Sequence, residues 1–148
     1  MAAYATVDDL KAKMDARALA SLAYDAAGTA EITDAEVVAN LENAIAAASA
    51  RADTFLRGRV TLPLTAPYDR ALVNAVCELA IEELYLRRPK EADFPREDAL
   101  AEAKSFLEYI RAGIAKIEDA AAAVPECSIR STTEGATPVF STVKDVMG

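Results

Sequence analysis

The sequence predicts an all-α protein, a small helical bundle of about four to five helices with an extended C-terminal tail. Apolar residues make up 53% of the chain, but aromatic residues only 6%, with no Trp. Ala supplies much of that apolar count, which suits helices that approach closely rather than sheets filled with large rings. The 5 Gly and 6 Pro fall mostly between periodic runs instead of inside them. Within those runs apolar residues recur in steps of three and four. A length of 148 residues suits one domain, residues 1–124, followed by a tail at 125–148.

The first start signal is Thr6-Val7-Asp8-Asp9, a side-chain oxygen for the free amides with acids in the first turn. Leu10, Met14, Leu19 and Leu22 continue a helical pattern up to Gly28, giving one or two short helices. Thr33 and Glu36 then have the spacing of a capping box, with Ile32 and Val37 placed to close a hydrophobic staple. Val37, Leu41, Ile45, Ala48, Ala52 and Phe55 follow at 3.6-residue spacing, so a long helix runs to about Arg57 and stops at Gly58.

Residues 59–67 contain Pro63 and Pro67 among Leu and β-branched positions and form an extended connector whose leucines plug the bundle. From Pro67 or shortly after to Arg88, the chain is apolar over more than half a helical circumference, the signature of a central helix. A loop from Lys90 to Asp93 leads to a further helix near Pro95, with a seam of Leu100, Ala103, Leu107, Ile110, Ile114 and Ile117. Two endings stay open for it, a break at Gly113 or continuation through Ala123 to a stop at Pro125. Beyond Pro125 the Ser, Thr and Gly content is too high to bury a core. Val139-Phe140 then reads as an anchor for extended docking on another subunit.

A net charge of −8 supplies no basic field to collect phosphates, which argues against tight DNA wrapping but is compatible with a wall past which DNA slides. No run approaches a membrane span, and the N-terminal residues lack a charged and apolar leader, so a cytoplasmic site of synthesis is expected. The chain has no His, and Cys77 and Cys127 lack metal-ligand spacing; both are expected to be reduced thiols, Cys77 in the core. Asp25 to Glu36 has the length of a calcium loop, but Ala27, Thr29 and Ala30 occupy positions that need ligands and the turn glycine. Glu78, Glu82 and Glu83, with Glu97, Asp98 and Glu102, read as solvated acidic helix faces, because a di-metal cluster would need Glu-x-x-His motifs. Without a Gly-rich phosphate loop, a GxSxG elbow or a Cys/His pair, no cofactor and no enzymatic activity are expected. Arg51, Arg57 and Arg59 gather near the end of the long helix, where they complement its dipole or meet a partner's acids or passing DNA.

The Tyr4-Ala5-Thr6-Val7-Asp8-Asp9-Leu10 opening, the Ala44 to Asp53 helix and the Gly58-Arg59-Val60-Thr61-Leu62-Pro63-Leu64 connector together resemble the small neck protein of Mu-like phages and prophages, a head–tail connector. The likeness continues through Leu84-Tyr85-Leu86-Arg87-Arg88-Pro89, the helix from Ala99-Leu100 to Ala112-Gly113 and Val139-Phe140-Ser141, so it covers nearly the whole chain. The loop Asp25 to Ala30 departs from the more acidic, Gly-rich loop of that family.

The resemblance implies an adaptor made in the host cytoplasm and resident in the virion neck. It would assemble as a ring of twelve copies on the portal protein and offer a platform to the next neck or tail protein. Genome DNA would pass through its lumen without specific binding. The expected contact residues are Val139 and Phe140, then Val143, Ile129 and the arginines Arg51, Arg57 and Arg59. The competing reading is a small acidic regulatory or antitoxin-like binding module, which calls for a basic DNA-reading helix or a compact partner groove.

Overall fold

The computed structural model of the chain describes residues 2–88 and 95–117. Five helices occupy them in the order α1 Val7–Lys13, α2 Ala16–Ala23, α3 Ala35–Leu56, α4 Arg70–Leu86 and α5 Glu97–Ala112. No strand forms among the described residues; Arg57 and Val60 make one isolated bridge. The loop Lys90 to Asp93, any helical continuation beyond 117, Cys127, the 124/125 boundary and the contact residues Ile129, Val139, Phe140 and Val143 lie outside the described residues.

The start of α1 follows its sequence signal. The Thr6 hydroxyl accepts from the Asp9 amide at 3.3 Å, and the Asp9 carboxylate accepts from the Thr6 amide at 2.8 Å, closing a capping box. The preceding arm is fixed to α3: Tyr4 is 1% exposed, its amide donates to Ser49 Oγ at 3.1 Å and its hydroxyl donates to Asp53. Its ring meets Tyr68 edge to face at 5.1 Å, tying the connector to the same corner. At α2 the Asp15 carboxylate accepts from the Arg17 amide.

The long helix begins one residue later than its apparent box. Its N-cap is Asp34, so Glu36 sits at the second helical position and cannot reciprocate with Thr33. The Asp34 carboxylate instead turns back to accept from the Glu31 amide at 2.8 Å, closing the tight turn before the helix. The buried stripe of α3 is as expected, Val37, Leu41, Ala44, Ile45, Ala48, Ala52 and Leu56, with Phe55 partly buried against it. Fully burying a Leu such as Leu41 contributes ~1.5–3 kcal/mol.

Gly58 adopts φ +85° and turns the chain out of α3. Leu64 in the connector is buried and Leu62 packs on the core, so the connector does plug the bundle. Asp69 caps α4 through the Ala71 amide at 2.8 Å. α4 is the central helix, packed against α3 and α5 and, over smaller areas, against α1 and α2.

The ending of α5 is settled by Gly113, a left-handed C-cap at φ +80° after Ala112. The expected helical seam therefore ends at Ile110, and both Ile114 and Ile117 lie beyond the helix. Leu100, Ala103, Leu107, Ile110 and Ile117 are buried, but Ile114 follows the left-handed turn, where helical periodicity no longer applies, and is 75% exposed. No described helix is long and apolar enough to cross a membrane.

Candidate interaction surface

The charged residues divide into those that hold the bundle together and those left at its surface. Glu78 and Glu82 are not the solvated acids that the sequence suggests. Glu78 is 4% exposed and faces Arg96, whose Nε and Nη2 donate to its two oxygens at 2.9 and 2.6 Å. Arg96 also donates to the carbonyl of Lys13 at 2.8 Å, so one guanidinium joins the starts of α5, the end of α1 and the middle of α4. Glu82 takes Arg51 at 2.9 Å on one oxygen and Lys104 at 2.8 Å on the other. Burial disfavours its charge, but the Lys104 and Arg51 hydrogen bonds prevail and hold it below the ordinary carboxylate value. A carboxylate on a helix apolar around most of its circumference needs such partners, and both cations lie far away in sequence. Glu97, Asp98 and Glu102 on α5 are exposed, as expected of a solvated face.

The three arginines singled out in the sequence therefore have different surroundings. Arg51 sits inside α3 rather than at its end and also reaches Glu83 at 2.9 Å, with its side chain 40% exposed. Arg57 is the exposed C-cap residue of α3. Arg59 serves another helix: its Nε donates to the carbonyl of Arg111 at 2.8 Å, and its guanidinium lies over Gly113, so it complements the C-terminal dipole of α5.

Arg59 thus meets the end of α5 at one corner, where Tyr109, Arg111 and Ile114 are exposed, while Arg57 is exposed at the end of α3. Sequence reading did not select Tyr109, Arg111 and Ile114 for this surface, although the first two fall off the Leu100-Ala103-Leu107-Ile110 seam and their exposure was legible from that. Beside the corner lies a shallow open groove of about 550 Å³, floored by Val60, Leu62 and Pro63 and edged by Asp53 and Arg57. Cys77 is buried on α4, and burial pushes its thiol up to about 11.

Among the described residues, no three His, Cys, Asp or Glu side chains converge as metal ligands, and no buried side-chain nitrogen or oxygen lacks a hydrogen bond. What the surface offers is Arg and Tyr chemistry beside apolar side chains, the composition of protein–protein contacts. The family described as bacteriophage Mu, Gp36 matches residues 4–132, from the buried Tyr4 arm past the end of α5. No curated protein matches the chain.

Proposed function

The chain belongs to the bacteriophage Mu Gp36 family, and from that premise we propose that it is a structural head–tail adaptor of a tailed phage or phage-like particle. In this reading copies assemble as a ring of twelve on the portal protein, and the ring presents its far side to the next neck or tail protein. The observation that carries the reading is the family match across residues 4–132, which takes in every described helix.

The geometry supports a mechanical role. The ion pairs Arg96–Glu78 and Arg51–Glu82–Lys104 tie α3, α4 and α5 into one body, as an element that transmits load between two larger assemblies requires. The Arg- and Tyr-bearing corner at the end of α5 supplies contact area outside that body. The Val139-Phe140 segment of the tail would latch onto a neighbouring copy or the portal. The net charge of −8 keeps DNA moving through the lumen without gripping it.

Removing the protein from an otherwise intact phage tests this. DNA-filled heads and free tails that fail to join are expected; normal tailed particles would overturn the reading. Truncation after Val124 tests the latch separately, because joining that survives it removes the latch and keeps the adaptor.

A further inference from the structure

The groove at the end of α3 is built in advance and left open. Val60 and Leu62 pack inward on the core, yet each is only half-buried, and with the exposed Pro63 they form an apolar floor. Ala2 closes one side, and Asp53 and Arg57, one helical turn apart, form the edge. The walls need no occupant to hold them: the Tyr4 hydroxyl donates to Asp53, and Leu64, next to Pro63, is buried in the core. At about 550 Å³ the groove falls in the range of about 300–1,000 Å³ typical of binding sites, enough for a few apolar side chains. Along its floor the amides of Thr61 and Leu62 donate to no backbone carbonyl among the described residues, so an extended segment lying there finds main-chain partners as well. Arg57 makes no ion pair among the described residues.

The chain itself carries a segment of matching chemistry. Val139-Phe140-Ser141-Thr142-Val143 combines an aromatic residue with β-branched apolar ones, and Lys144-Asp145 follows directly, a charged pair complementary to Asp53 and Arg57. The stretch that leads to it leaves α5 beside the groove. A Cβ at Gly113 would lie 3.2 Å from Arg59 Nη1, and Arg59 stands between Gly58 and Val60, both of which line the groove. From Ile117 to Val139 the chain can span up to about 70 Å, so length does not limit the return. A tether of that kind presents the segment at an effective concentration on the order of 1 mM. A contact with a Kd of about 0.1 mM is then closed about nine times in ten within one molecule, whereas between molecules at about 1 µM it is only about 1% occupied.

We propose that in the free protein residues 139–143 lie in the groove of their own molecule, with Phe140 against Val60, Leu62 and Pro63 and Asp145 beside Arg57. The latch is thereby stowed, its apolar side chains covered until assembly draws it out. The inference rests on the reading of Val139-Phe140 as a latch and goes beyond it by naming the seat held before assembly.

Photo-crosslinking of the full chain tests it, with a benzophenone amino acid in place of Phe140 and the protein at about 1 µM. Single-chain products attached within residues 57–63 should exceed two-chain products about tenfold. Two-chain products in excess would give the groove to a neighbouring copy, and attachment scattered over the bundle would leave the segment without a seat; either overturns the inference. Nuclear magnetic resonance gives a second readout that leaves the bundle sequence untouched. Phe140→Asp should move the amide resonances of Val60, Thr61 and Leu62 by the same amount at about 0.05 and about 0.5 mM, because a contact within one molecule does not depend on concentration. Groove resonances that stay in place, or that move only at the higher concentration, would contradict it. Neither readout involves the portal or head–tail joining, so failure here leaves the adaptor and the latch to be decided by their own tests.

Discussion

Arg96 grips both oxygens of Glu78, at 2.9 and 2.6 Å, where the carboxylate side chain is 6% exposed and the guanidinium side chain 26%. This pair fastens the beginning of α5 to the centre of the bundle. Taking Arg96 away leaves the Glu78 carboxylate buried and uncompensated, which costs far more than the intact pair contributes. Arg96→Ala should lower stability by ~3–5 kcal/mol, read as a shift in the urea midpoint at an unchanged slope. The paired replacement Glu78→Leu with Arg96→Met should recover most of that loss; a fall as large as the single variant's would mean the pair is not acting through charge.

Glu82 should make the protein sensitive to acid. Burial works against its ionisation, yet Lys104 and Arg51 hold its pKa below the ordinary value of 4.5. The unfolded chain therefore binds its proton more readily than the folded one. The stability from this group is full above the ordinary value and is lost as pH falls through the lower folded-state value. Asp9, held down by its hydrogen bonds to Thr6, adds a loss of the same sign. Denaturation measured from about pH 6 to about pH 3 should show stability falling with pH, and Glu82→Gln should flatten that slope. An unchanged slope would show that these ion pairs do not act on folding.

Cys77 should be chemically silent in the folded protein. It is 1% exposed, and burial has pushed its thiol up to about 11, so little thiolate forms at neutral pH and none is accessible. Mass-spectrometric readout of alkylation should find Cys77 labelled only in denaturant. Rapid labelling under native conditions would mean that α4 opens locally far more readily than a central helix should.

The sequence made the central helix, the α1 cap and the apolar stripe of α3 legible, because each is a local pattern: a capping spacing at Thr6 and Asp9, and a 3.6-residue period from Val37 to Ala52. It misplaced the start of α3, since Thr33 and Asp34 both offer a capping oxygen and the choice depended on the turn that Asp34 closes with Glu31. It missed the roles of Glu78 and Glu82, whose partners Arg96 and Arg51 stand 18 and 31 residues away and are brought close only by packing. The corner at Tyr109, Arg111 and Ile114 was half legible, for two of its residues lie off the α5 seam, whereas the exposure of Ile114 required knowing that the helix stops at Gly113.

Gly113 should resist substitution. Its φ of +80° is a conformation that side chains rarely adopt, and a Cβ would come within 3.2 Å of Arg59 Nη1. Gly113→Ala should therefore cost about 1 kcal/mol by strain, seen as a lowered melting temperature, and loosen the guanidinium that complements α5. A neutral or stabilising effect would mean that the helix runs on past Ala112 instead of ending there.

We have proposed that copies of this chain form a ring on a portal protein. Electron microscopy of the full-length protein mixed with the portal protein of its own genome tests that most directly. Added density of twelve copies capping the portal ring is the expected result; portal particles indistinguishable from those without the protein, at concentrations well above those in an infected cell, would contradict it.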